Sequence, residues 1–75
     1  MEVFGALKSL ISSQLNVAEN EIQLESNLMT DLGADSLDAV ELIMEVEDHF
    51  GLTINEEDAQ SLMTVGDIVD YIHQQ

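Results

Sequence analysis

The sequence predicts an all-α fold: a four-helix bundle, with three longer helices, one short third helix and a long first loop. Three observations lead there. Apolar residues recur at spacings of three, four and seven in separate stretches, which is the helical signature. Cap residues and glycines stand between those stretches where helices would start and stop. A chain of 75 residues has room for one domain and one core.

Val3, Phe4, Leu7, Leu10, Ile11 and Leu15 mark the apolar side of a first helix over residues 2–15. Glu2 suits the positive end of the helix dipole, and Asn16 suits a left-handed C-cap. Gly5 inside the helix costs about 1 kcal/mol relative to alanine. The serines and Lys8 fall on the outer face, where Lys8 reads as a solvated side chain.

Residues 16–35 form a loop longer than compact domains usually tolerate. Spaced apolar anchors make it workable: Val17, Ile22, Leu24, Leu28 and Leu32. A short helical turn is expected over Ala18–Ile22. Ser26 or Asn27 could cap another around Leu28–Asp31.

The second helix is predicted over residues 36–50. Ser36 follows a glycine-containing turn and precedes an apolar-periodic run, the place of an N-cap. Asp38 then lies in the first turn, where the dipole favours negative charge. At about 100° per residue, Ala39, Leu42, Ile43, Val46 and Phe50 share one broad face, the core stripe. Leu37, Val40 and Met44 form a second stripe nearly opposite, beside Glu41, Glu47 and Asp48. One apolar stripe suffices to pack a helix, so the second one packs under the long loop or meets a partner.

Gly51 suits the helix end. Leu52-Thr53-Ile54 crosses over, and Asn55 can cap a short third helix with Asp58 three residues on and Ala59 and Leu62 facing inward. Thr64-Val65-Gly66-Asp67 reads as a capping box. Val65, Ile68, Val69 and Ile72 supply the buried side of a fourth helix, with Tyr71 adding its ring. Gly66 is a mild local weakness, and the tail should fray.

The charge excludes several functions. One lysine and no arginine stand against sixteen acidic residues, a net charge of −15. That leaves no basic footprint for nucleic acid. It would also be repelled by anionic membranes, and no stretch approaches the ~20 apolar residues of a membrane span. The field suits basic protein partners, at the cost of self-repulsion that salt or divalent cations should relieve. The hydrophobic fraction of 45% argues against disorder. The N-terminal residues lack a basic segment and a long apolar run, so a cytoplasmic protein without signal peptide is expected.

No cysteine is present, which removes disulfides and thiolate metal sites. Asp31, Asp35 and Asp38 do not follow the calcium-loop spacing. No metal site is expected beyond loose carboxylate association. Ser36 taken alone reads as an ordinary cap. Catalysis would need a base and an orienting group beside it. His49 lies about 20 Å down the same helix, and His73 is more remote in the chain.

The run Leu32-Gly33-Ala34-Asp35-Ser36-Leu37-Asp38, continuing to Glu41-Leu42, resembles the prosthetic-group site of acyl carrier proteins. The likeness covers essentially the whole chain and is nearest to the free-standing carriers of bacterial dissociated fatty acid synthesis. The resemblance implies a non-enzymatic carrier, one domain over residues 1–75. In it, the Ser36 hydroxyl would hold 4′-phosphopantetheine, donated by coenzyme A, and acyl chains would ride on that arm as thioesters. Asp35 and Asp38 would serve enzyme recognition and metal positioning.

The same resemblance implies a docking surface of Asp35, Leu37, Asp38, Val40, Glu41, Met44, Glu47 and Asp48. Its partners would be a phosphopantetheinyl transferase (holo-ACP synthase) and the fatty acid synthesis enzymes, meeting a monomeric carrier through basic patches. It implies an acyl pocket between the second, third and fourth helices, at Val46, Ile54, Ala59, Leu62 and Ile68. Two departures stand out: members of the family usually carry a proline near position 55, so Asn55 should leave the cap intact but loosen the lead-in to the third helix, and Ile68, bulkier than the small residue often found there, should restrict the pocket. Alternatives of other kinds are a carrier for polyketide, nonribosomal peptide or D-alanyl transfer, and an unmodified acidic interaction or cation-buffering module. A small hydrolase is disfavoured by the missing triad.

Overall fold

The computed structural model describes residues 2–75. Those residues form four α-helices: α1 (Val3–Leu15), α2 (Ser36–Phe50), α3 (Glu56–Ser61) and α4 (Val65–His73). A single 3₁₀ turn, Glu19–Glu21, interrupts the first loop. The all-α bundle is the one the sequence predicts, helix for helix.

Local chemistry sets the helix ends. The Glu2 carboxylate accepts from Gly5 N at the start of α1, and Asn16 closes that helix with φ of 58°. Gly51 closes α2 with φ of 67°. Asn55 Oδ1 accepts from Asp58 N at 2.8 Å, so the cap of α3 survives without proline. Thr64 and Asp67 exchange side-chain bonds with each other's backbone N–H, as a capping box requires.

The cap of α2 differs from expectation. Asp35, not Ser36, is the N-cap: its Oδ1 accepts from Asp38 N at 2.8 Å, while Asp38 Oδ2 reaches back to Asp35 N at 3.4 Å. Ser36 is the first helical residue. A carboxylate caps as well as a hydroxyl and adds charge of the sign the dipole favours.

The buried core draws on three helices and on the loops. Leu7 and Ile11 come from α1, Leu42 and Val46 from α2, Val65 and Ile68 from α4. Ile22, Leu28, Leu32, Ala34 and Ile54 join them from irregular segments. The first loop is therefore part of the core, which explains how so long a connection stays ordered. Leu24 is the anchor that fails, at 46% exposure. Its backbone does the fastening instead: Leu24 O accepts from Gly66 N at 2.7 Å.

That bond belongs to a strap. Leu28 N donates to Met63 O at 3.0 Å and Val65 N to Ser26 O at 3.1 Å. Asn27 and Thr64 pair across it as an isolated antiparallel bridge. Asn27 also caps the turn that follows, its Oδ1 accepting from Met29 N and Thr30 N. Ser26 is instead buried, its hydroxyl accepting from Gln23 N. Lys8 Nζ stands 4.8 Å from the Phe4 ring centroid, a cation–π contact rather than a fully solvated ammonium.

Candidate functional site: Ser36 and the adjoining apolar groove

The capping box at Asp35 and Asp38 has a chemical consequence for Ser36. The serine begins a fifteen-residue helix and is exposed. Its hydroxyl is not consumed in capping. The positive end of the helix dipole favours a phosphate there, and the two flanking carboxylates oppose it.

Ser36 also lines a groove of about 590 Å³ between α2, α3 and the loops. On α2 the wall continues through Ala39, Val40, Ile43 and Met44, the neighbours of Ser36 at helical spacing. From α3 and its flanks come Ile54, Ala59, Leu62 and Met63, and from the first loop Leu28 and Met29. Polar groups are few: Asn27, Ser36, Glu56 and Gln60. A mostly apolar concavity of this size with a few polar groups suits an apolar ligand of modest length.

One wall of this groove is α3, a helix of six residues with none fully buried. Two polar contacts hold it. The Glu47 carboxylate accepts from Ile54 N at 2.8 Å just before the helix, and Asp58 accepts from the Tyr71 hydroxyl of α4.

Comparison with known proteins decides the family. Residues 5–72 match the family described as phosphopantetheine attachment site. The chain is 47% identical over 73 residues to an acyl carrier protein of Thermotoga maritima, covering 97% of this chain and 90% of the relative. It is 51% identical over 70 residues to an acyl carrier protein of Clostridium perfringens, covering 93% and 92%.

The chain belongs to the acyl carrier protein family.

Its fold agrees. A solved structure from Mycobacterium tuberculosis, described as a candidate acyl carrier protein, superposes with a TM-score of 0.90 at 35% identity over 96% of each chain. Acyl carrier proteins are in general non-catalytic and interact with phosphopantetheinyl transferases and synthesis enzymes. The covalent cofactor of such a chain is 4′-phosphopantetheine, which supplies the thiol that this cysteine-free sequence lacks. The residues present fit that group: an exposed hydroxyl free of the cap, at a helix start, beside an apolar groove.

The expected acyl-pocket residues divide. Ile54, Ala59 and Leu62 line the groove. Val46 and Ile68 do not; both are fully buried and pack in the central core. They lie on the side of α2 and α4 that faces the core.

The expected docking residues divide as well. Leu37, Val40 and Met44 are exposed at 65%, 57% and 58%. Val40 and Met44 are at the same time groove wall, so the second stripe of α2 is partly the rim of a cavity. Asp35, Glu41 and Asp48 are exposed, and Glu41 accepts a hydrogen bond from Gln14 of α1. Asp38 and Glu47 are half-buried and engaged, Asp38 in the cap and Glu47 on Ile54 N.

Ile43 and Ala39, assigned to the core stripe, face the groove. Met29, Met63, Glu56 and Gln60 are groove residues that the sequence reading missed. Glu56 and Gln60 are spaced four apart on a predicted helix, a local signal that could have found them. Nothing local marks Met29 and Met63, which the strap brings together. His49 stands at the far end of α2 from Ser36, stacked edge-on against Phe50. Among the described residues no cluster of three metal-ligating side chains occurs, and no helix is long and apolar enough to cross a membrane.

Proposed function

We propose that Ser36 is the attachment point of 4′-phosphopantetheine and that the groove beside it shelters the acyl chain carried on the arm. The observation that carries this reading is the free, exposed hydroxyl of Ser36 on the wall of an apolar groove. Leu28, Ile43, Ile54, Ala59 and Leu62 would enclose the chain, and burial of each methylene would contribute about 0.8 kcal/mol.

The 75 residues would act as one monomeric carrier domain in the cytoplasm, serving the enzymes of fatty acid synthesis. The exposed trio Leu37, Val40 and Met44, with Asp35, Glu41 and Asp48, would dock on basic patches. A net charge of −15 supports charge-steered, short-lived encounters. The protein would itself catalyse nothing: His49 lies about 20 Å along the helix from Ser36, and the carboxylates of Asp35 and Asp38 are engaged with each other's backbone N–H in the cap.

The test is intact mass after incubation with coenzyme A, Mg²⁺ and a phosphopantetheinyl transferase. A gain of one phosphopantetheine in the parent and none in Ser36→Ala is expected. No gain with several transferases would favour an unmodified acidic interaction module instead.

A further inference from the structure

Met29, Met44 and Met63 converge on one groove. Met29 belongs to the first loop, Met44 to α2 and Met63 to the α3–α4 connection, yet all three line the cavity beside Ser36. Each is about half exposed, at 48%, 58% and 58%. The convergence is tertiary: the bond from Leu28 N to Met63 O and the Asn27–Thr64 bridge set Met29 and Met63 on adjoining backbone. The chain has no cysteine and no tryptophan. Its thioethers are therefore the side chains most open to oxygen transfer, and exposure puts these three within reach of a dissolved oxidant.

We propose that the three methionines form a peroxide-sensitive rim, whose conversion to sulfoxides changes the groove from an apolar binding site into a polar one. The oxidant is hydrogen peroxide or an organic peroxide. A sulfur lone pair attacks one peroxide oxygen. The S–O bond forms as the O–O bond breaks, and the departing oxygen takes the proton from the transferred one, giving sulfoxide and water (or alcohol). Sulfur loses two electrons and the peroxide gains them. Methionine sulfoxide reductases, one for each sulfoxide epimer, return the thioether, two thiols becoming a disulfide as the oxygen leaves as water, so the modification is reversible.

Each thioether is a soft apolar surface that adapts to its ligand. Each sulfoxide is a strong acceptor that must keep water or find a donor. Three such groups from three segments make the rim hydrophilic without touching the core, because none of the three is among the buried residues. This goes beyond the carrier reading and rests only on the groove being apolar, whatever occupies it.

The experiment uses the full chain and Nile red, an uncharged apolar dye that the net charge does not repel. Dilute peroxide is expected to add one oxygen to each of Met29, Met44 and Met63 in a peptide map. Nile red should then bind about tenfold more weakly, with the helical circular dichroism unchanged. The two methionine sulfoxide reductases, one for each epimer, supplied together with a thiol, should restore binding. A variant with M29L, M44L and M63L should keep its affinity through peroxide treatment, and single Leu variants should show partial losses if the triple variant loses helix.

Several results would overturn the proposal: no dye binding before treatment, equal affinity after full oxidation, or an equal loss in the Leu variants. Loss of helix in step with loss of binding would overturn it too, since the sulfoxides would then act on the fold.

Discussion

The Tyr71 hydroxyl donates a 2.9 Å hydrogen bond to Asp58 Oδ2, tying α4 to the short helix that lines the groove. The chain has one tyrosine and no tryptophan, so its phenolate absorbance reads this contact alone. The bond to Asp58 holds the phenolic proton and raises the Tyr71 pKa, and partial burial and the charges of Asp58 and Glu47 add to the rise. A raised pKa in the folded state means that the neutral phenol is the form the fold favours. Its stabilisation is complete below the unfolded value of about 10 and is lost as pH rises through the raised value. The native titration midpoint should therefore lie above that of the urea-unfolded chain, and Asp58→Ala should bring it down. Coincident midpoints would mean that the bond does not persist in solution.

The capping arrangement separates Asp35 from Ser36. Asp35→Ala removes the acceptor for Asp38 N and should cost about 1 kcal/mol, visible as a lower melting temperature. Ser36→Ala should stay within about 0.5 kcal/mol of the parent, because the hydroxyl does not cap. A larger loss for Ser36→Ala than for Asp35→Ala would reverse the assignment.

Gly66→Ala should destabilise even though alanine is the better helix former by about 1 kcal/mol. A Cβ at position 66 would stand 3.0 Å from Leu24 O, the atom that accepts from Gly66 N. The strap would have to shift, and the groove lining at Met29 and Met63 with it. The expected net loss is on the order of 1 kcal/mol in urea unfolding. A gain in stability would show that the strap yields freely.

Sixteen carboxylates against one lysine repel one another in the folded state. Millimolar Mg²⁺ or Ca²⁺ should raise the melting temperature, and about 0.5 M NaCl should reproduce much of the effect by screening. Relief by screening alone would make the two divalents act alike. An unchanged melting temperature in all three solutions would count against the repulsion.

Asp48 and Glu47 are neighbours with different duties. Asp48 is exposed, so Asp48→Lys should weaken transfer by a partner enzyme, raising KM at low salt with little effect on stability. Glu47 accepts from the amide of buried Ile54. Glu47→Ala should cost about 1–3 kcal/mol and loosen the lead-in to α3. Equal stability and equal transfer rates in both variants would be falsifying for the docking surface and for this anchor together.

Much of the fold was legible because helix ends are local. Asn16, Gly51, Asn55 and the Thr64–Asp67 pair each act within a few residues of themselves, so their chemistry can be read from neighbours in the chain. The exchange of Ser36 for Asp35 at the α2 cap was a choice between adjacent residues that can both accept from the first turn, and the geometry of the turn settled it.

The amino-acid sequence by itself determined the number and type of helices, the acidic field and the residues around Ser36 that mark the family. These depend on periodicity, charge and a contiguous motif, all of which survive without coordinates. Only the tertiary structure decided what the second stripe of α2 faces. Helical spacing places Val40 and Met44 together but cannot say that Met29 and Met63 complete their wall, or that Val46 and Ile68 lie behind it in the core. The physical reason is the strap: hydrogen bonds from residues 24–28 to residues 63–66 join two irregular segments that no local preference pairs, and that closure makes the groove.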